Sequence, residues 1–258
     1  MPTEAVIFDL DDTLVVEVAS ADAAFIATCA LAHKEYGIDP EGLHQTVRLK
    51  ARELWYASPA RAYCVDIGIS SWEGLWARFR GDDPNLKVLR AWAPTYRLEA
   101  WSRALAEYGA NDPSFAEQLA DTFQSERRGR HVVYPDTKPT LDDVRERYRV
   151  ALLTNGAADL QREKIRESKL APFFEVIVIS GEVGVRKPEP EIFALVLDRL
   201  GVTAGTAVMV GNSLGSDVAG AQRAGLKGVW LNRSGRDCDD EIEPDAKITS
   251  LSELKDIL

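Results

Sequence analysis

Asp9 and Asp11 stand two residues apart, directly after an apolar run, Ala5-Val6-Ile7-Phe8. The run reads as a short buried strand. At i and i+2 the two acids leave the strand end on the same side. Carboxylates held that close repel one another. A hard divalent ion such as Mg²⁺ is their natural neutraliser, because it takes oxygen ligands and keeps water or phosphate in its other positions. A solvated Asp-rich turn is the plainer explanation of this pair taken alone. Other residues able to do chemistry follow later apolar runs. Thr154 and Asn155 come after Val150-Ala-Leu-Leu, Lys187 lies in the loop after Val176-Ile-Val-Ile, and Asn212 and Asp217 come after Ala207-Val-Met-Val. One polar strand end means little, since turns use these residues constantly. Acid, hydroxyl, amine and acid in succession are hard to explain as turns.

Those residues need elements to position them. From Tyr134-Pro135-Asp136 onward, short apolar strands alternate with helical stretches, which predicts a parallel sheet covered on both faces. The predicted helices run through Leu141 to Tyr148, about 158–168, Glu189 to Leu200, the small-residue stretch Ala219, Gly220, Ala221 and Ala224, and Leu251 to Leu258; Val229-Trp-Leu is a further strand. In an open parallel sheet, ligands collect at the carboxyl ends of the strands. The N-terminal strand has no sheet of its own and must join this one. Between them lies a helical block. Leu43, Val47, Ala51 and Leu54 mark one helix face, Trp72, Leu75, Trp76 and Phe79 a second, and Phe115, Leu119 and Phe123 a third behind Asp112-Pro113. Gly37, Pro40, Gly81, Pro84, Pro94 and Gly109 punctuate these segments. The fold class is therefore α/β, with a core of residues 1–14 and 135–258 and an inserted all-helical domain at 15–134.

The block holds every tryptophan except Trp230, and core packing is the commoner reason for such a face than a substrate pocket. Arg127, Arg128, Arg130 and His131 read either as solvated surface or as a positive rim that steers an anion. His33 and His44 have no partner spacing and receive no role. The formal charge of -10 argues against nucleic acid or an anionic membrane as partner. No apolar run approaches the ~20 residues of a membrane span, and no basic n-region precedes the first strand. Cys29, Cys64 and Cys238 form neither a disulfide framework nor a zinc pattern, so a reducing, cytoplasmic compartment is expected.

The string I-F-D-L-D-D-T-L resembles the first motif of the haloacid dehalogenase (HAD) superfamily, most of whose members are phosphatases. R-K-P-E-P-E-I-F resembles its third motif, and G-N-S-L-G-S-D-V-A-G-A-Q-R-A-G its fourth. The helical block resembles the cap that many members carry between the first and second motifs. The resemblance implies a Rossmann-like core and a Mg²⁺-dependent phosphatase acting on a small phosphorylated metabolite. Asp9 would attack phosphorus and form an aspartyl phosphate, and Asp11 would serve as general acid and base. Thr154 and Asn155 would bind substrate, and Lys187 would neutralise a phosphoryl oxygen. Asp9, the Asp11 backbone carbonyl, Asn212 and Asp217 would hold the metal, with Thr13 in support. Many members have Asp where this chain has Asn212, which leaves Asp217 as the main anionic ligand of that motif. A hydrolytic 2-haloacid dehalogenase, which uses the nucleophilic Asp without a metal and lacks the second Asp, is a rival reading. A phosphomutase and a non-catalytic binding module stay open beside it.

Overall fold

The computed structural model describes residues 2–236 and 242–258. The chain opens with β1 (Ala5–Phe8) and β2 (Val15–Val16). Helices α1 (Val18–Tyr36), α2 (Pro40–Tyr56), α3 (Arg61–Ile67), α4 (Ser71–Gly74), α5 (Pro84–Ala106) and α6 (Pro113–Arg128) follow. Then come β3 (Val132–Val133), α7 (Thr137–Arg145), β4 (Arg149–Thr154), α8 (Ala158–Glu167), β5 (Val176–Ile179), α9 (Ser180–Val183) and α10 (Pro190–Leu200). The chain ends with β6 (Ala207–Gly211), a π-helical turn at Leu214–Val218, α11 (Ala219–Arg223), β7 (Lys227–Leu231), β8 (Ala246–Ile248) and a 3₁₀ turn at Leu251–Asp256. It divides into two compact units. One comprises Met1–Val16, Val132–Gly156 and Gln161–Leu258, and the other Glu17–His131 with Ala157–Leu160.

The first unit is an α/β layer structure around a six-stranded sheet of order β5-β4-β1-β6-β7-β8, with every pairing parallel. Successive residues of each strand serve opposite faces. Val6, Phe8, Val150, Leu152, Val208 and Val210 join the core on one side, and Ile7, Ala151, Leu153 and Met209 the core on the other. Two buried faces are why these strands read as unbroken apolar runs. The order reverses at β1, where the chain adds β4 and β5 on one side and then returns to lay β6 on the other. This is the kind of place where open α/β sheets gather ligands. β8 is not visible in the sequence, because Ala246-Lys247-Ile248 is too short to show a period. Its pairing with β7 is what makes it a strand.

The second unit is all helical. α2 buries Leu43, Val47 and Ala51 as expected, with Trp55 rather than Leu54 completing the face. Asp112 caps α6 by accepting from Phe115 N at 2.9 Å, which is why Asp112-Pro113 starts a helix. Two expectations fail. Pro94 does not punctuate; it lies inside α5, whose buried Leu89, Ala93, Tyr96 and Ala100 pack the helix through the missing hydrogen bond. Trp72 to Phe79 is not a helix face either. A Ser70–Glu73 capping box starts α4, but the helix stops at Gly74, where a Cβ would lie 2.4 Å from the Trp55 ring. The carbonyls this break releases are taken by guanidiniums, with Arg97 on Gly74 and Ala77 and Arg128 on Trp76. Leu75, Trp76 and Phe79 are buried without helical spacing.

Within the basic run, Arg127 is not solvated surface, whereas Arg128, Arg130 and His131 are partly exposed. Arg127 is 1% exposed, is paired with Glu17 and lies 4.8 Å from the Trp76 ring. Arg130 is paired with Glu126. Trp55, Trp76 and Trp101 are core residues, the commoner use of such a face. Cys29 and Cys64 are buried free thiols, and Cys238 lies outside the described residues.

Candidate active site

The site grows from the turn that follows β1. The Asp9 N–H donates to Val210 O at 3.0 Å, so the residue is still pinned to β6 as it leaves the strand. The chain then doubles back around the Leu10 carbonyl, which accepts from Leu14 N at 2.9 Å and Val15 N at 3.1 Å. Asp12 takes a left-handed φ of 55° to make the bend, and Thr13 Oγ1 donates to Asp9 Oδ2 at 3.1 Å. Thr13 thus stands beside Asp9.

Lys187 reaches this point from the loop after α9. Its Nζ lies 2.6 Å from Asp9 Oδ1 and 2.7 Å from Asp217 Oδ1, with all three side chains buried. The loop is held by Asn155, whose amide donates to Lys187 O at 3.0 Å and accepts from Lys187 N at 2.9 Å. Asn155, expected among the substrate-binding residues, spends its side chain as a clasp on the lysine loop. Asp217 arrives on the π-helical turn, its Oδ2 accepting from Ser213 N at 3.0 Å. The turn packs so closely on β6 that a Cβ at Gly211 would sit 2.2 Å from Asp217 Oδ2, so only glycine fits there. Asn212 is half-buried, and its carbonyl accepts from Trp230 Nε1 at 3.1 Å.

Two carboxylates share one ammonium here, and the electrostatics follow. Burial pushes the Asp9 carboxyl up to about 7; Lys187 opposes the rise, while Asp217 and Asp11 add to it. Burial works against the Lys187 charge as well, but Asp217 and Asp9 outweigh it and hold the ammonium above its usual value. The unit thus keeps a charged lysine beside an acid that gives up its proton reluctantly.

Asp11 has separate partners. Lys164 Nζ lies 3.0 and 3.1 Å from its two oxygens, and Gln161 Nε2 lies 2.9 Å from Oδ2. Gln161 also donates to Thr154 Oγ1 at 2.6 Å. Neither Gln161 nor Lys164 is among the residues the sequence singles out. The sequence carries no signal for them: Gln161, Lys164, Ile165 and Ser168 are buried at helical spacing, but that two long polar residues turn inward shows only in the fold. The fold brings Asp9, Lys187 and Asp217 into direct contact, and it joins Asp11 to Thr154 through Gln161. Among the described residues no three His, Cys, Asp or Glu side chains form a metal cluster. A cation at this site would find carboxylates of Asp9 and Asp217, with amide or carbonyl oxygens for the rest.

A sequence profile of the haloacid dehalogenase-like hydrolases matches residues 3–225. The chain is 38% identical over 249 residues to a phosphoserine phosphatase of Thermus thermophilus, covering 96% of each protein. Among solved structures, the putative HAD-hydrolase YfnB of Bacillus subtilis superposes with a TM-score of 0.68 at 23% identity, covering 100% of this chain and 99% of that one. A 2-haloacid dehalogenase of Pseudomonas syringae gives a TM-score of 0.61 at 27% identity, covering 99% of this chain and 97% of that one.

Proposed function

The chain belongs to the haloacid dehalogenase-like hydrolase family and is an enzyme of that family, and we propose that it hydrolyses a small-molecule phosphomonoester with Asp9 as nucleophile. The observation that carries this reading is the sharing of one buried ammonium, Lys187, by Asp9 and Asp217 at the carboxyl ends of the strands. An Asp9 oxygen attacks phosphorus, the P–O bond to the leaving alcohol breaks, and Asp11 protonates the departing oxygen. In the second half Asp11 takes a proton from water, the water oxygen attacks phosphorus, and Asp9 is released. As it is held here, with Lys164 and Gln161 donating to its carboxylate, Asp11 is arranged as the base of that second half. To act first as acid it must carry a proton in place of a donor from Lys164. Thr154 donates to a phosphoryl oxygen, and Lys187 offsets charge on the transferred group.

The donor set fits Mg²⁺. Two buried carboxylates with a single ammonium between them leave negative charge to neutralise; burial first, and then Asp217 and Asp11, push the Asp9 carboxyl up against the pull of Lys187. Mg²⁺ typically takes one or two carboxylates together with substrate phosphate. Asp9, the Asp11 carbonyl, Asn212 and Asp217 would hold it, and bound there it would supply Lewis-acid polarisation of the phosphoryl group. The phosphatase name of the Thermus thermophilus relative supports the substrate class and makes phosphoserine the first compound to test. Asn212 and the likeness to the Pseudomonas syringae enzyme favour a 2-haloacid dehalogenase as second reading; Asp11, for which displacement at a halogenated carbon has no use, speaks against it. Among the described residues no helix is long and apolar enough to cross a membrane. The free, buried Cys29 and Cys64 support a cytoplasmic setting.

The test is phosphate release from p-nitrophenyl phosphate and phosphoserine with and without Mg²⁺, beside chloride release from 2-chloropropionate. Mg²⁺-dependent phosphate release is expected. Chloride release alone, independent of metal, would replace this reading with the second.

A further inference from the structure

Gln161 is fully buried on α8, and its amide nitrogen makes the two contacts described above, to Asp11 and to Thr154. An amide nitrogen has protons to give and no lone pair to accept with, so it donates in both. Asp11 fixes which way the amide faces. Its Oδ2 already draws Lys164 at 3.1 Å, and turning the amide over would set oxygen against oxygen at 2.9 Å. Thr154 Oγ1 must therefore accept from Gln161, and its own proton has to go elsewhere. Among the described residues, the protein acceptor near that proton is Asn155 O at 3.5 Å, too far to hold it firmly. The neighbouring loop makes room for this arrangement. A Cβ on Gly156, at φ +134°, would come within 3.2 Å of the Gln161 side chain.

Resting on the phosphatase reading, we infer that Gln161 is a positioning residue: its amide makes the Thr154 hydroxyl an obligate donor toward an anionic substrate oxygen. Asp11, by fixing the amide, ties that donor to the proton-transfer group. With no amide at this position, the hydroxyl is free to rotate and present a lone pair to the phosphoryl group. With a carboxylate there, the hydroxyl gives its proton to the protein and has none for the substrate.

The experiment uses the full chain with Mg²⁺ and an aryl phosphate, and compares Gln161→Leu, Gln161→Glu, Thr154→Val and the Gln161→Leu/Thr154→Val double variant. Gln161→Met, of similar length, replaces the leucine variant if that one does not fold. The readouts are kcat, KM and the inhibition constant of orthovanadate, which imitates the five-coordinate phosphoryl group. Gln161→Leu should lower kcat about ten-fold with little change in KM, and raise the vanadate constant by a similar factor. Gln161→Glu should fall further, on the order of 10²-fold, as for loss of a donor to the transition state. In the Thr154→Val background, Gln161→Leu should cost much less than in the wild type, the remainder being its lost bond to Asp11. A merely structural role would reduce the active fraction, leave the vanadate constant unchanged and multiply with Thr154→Val; either result overturns the inference. So do Gln161 variants with wild-type kinetics, or a Thr154→Val enzyme with wild-type kinetics. Asp9→Asn separates the two levels: normal turnover by that variant removes the phosphatase reading itself, whereas an inactive Asp9→Asn beside unimpaired Gln161 variants removes only this inference.

Discussion

In the α/β unit two buried carboxylates, Asp9 and Asp217, share one ammonium, whereas in the helical unit the guanidinium of Arg127 is buried against the carboxylate of Glu17. The first arrangement is short of positive charge, and Asp9 is pushed up to about 7, by burial first. The second sets a guanidinium against a buried carboxylate, and the neighbouring guanidiniums of Arg97 and Arg128 are taken up by carbonyls that the irregular stretch after α4 releases. Burial of charge is common to both units. Incomplete neutralisation at the strand ends is what distinguishes the place suited to a cation and a phosphate from the place suited to holding helices together.

Substitutions that press on each side of this difference should give effects of decreasing size. Asp9→Asn is nearly isosteric and removes the nucleophile. Activity on an aryl phosphate should fall by about 10⁴-fold or more, with an unchanged circular dichroism spectrum. Arg127→Met removes the guanidinium that is buried against Glu17. Urea unfolding of the helical unit, followed by tryptophan fluorescence, should lose about 3–5 kcal/mol, and Glu17→Gln in the same chain should restore part of it. Were the loss near zero, the helical unit would not depend on that pair.

Asp217→Asn reduces the shortage of positive charge. If Asp217 faces the metal, the Mg²⁺ concentration needed for activity should rise, by on the order of a few kcal/mol at an effective dielectric of about 20. Asn212→Ala should act more mildly, because water can replace a neutral ligand. An unchanged Mg²⁺ requirement in Asp217→Asn with a steep one in Asn212→Ala would exchange their roles, leaving Asp217 as the counterion of Lys187 alone.

The smallest effect concerns pH. In the fold Asp9 titrates near 7, against an ordinary value of 3.8. Between those values the native state keeps a proton that the unfolded chain has lost, so metal-free stability falls as pH rises through this window. Asp9→Asn should flatten that decline and melt higher than the wild type at about pH 8 in chelator, with the difference closing near pH 4. Thermal unfolding across that range checks the sign; a wild type that gains stability between these pH values would contradict it.

The sheet strands are legible in the sequence because β1, β4, β5 and β6 are buried on both faces and contain little but aliphatic residues. The sequence points to Asp9 and Thr154 because polar residues break those runs at their carboxyl ends, and to Lys187 and Asp217 because they lie in the segments that follow β5 and β6; the fold brings Asp9, Lys187 and Asp217 into contact. The path from Trp72 to Phe79 is not, since the ring of Trp55, from another helix, leaves no room for a side chain at Gly74, where α4 ends, and local spacing cannot show that contact. Arg127 looks like surface because its partner Glu17 is 110 residues away in the chain. Gln161 and Lys164 pass for the polar side of a charged helix; that they face inward depends on Asp11, a partner that local periodicity cannot show.

The most direct test of the account is to trap the covalent intermediate. The enzyme is quenched during turnover of a phosphomonoester with Mg²⁺, reduced with borohydride and digested, and the peptide carrying Asp9 is weighed by mass spectrometry. An acyl phosphate on Asp9 is converted by reduction to homoserine, and the account predicts that change at Asp9, dependent on substrate. Full turnover with an unmodified Asp9, or with the modification on another residue, would contradict it.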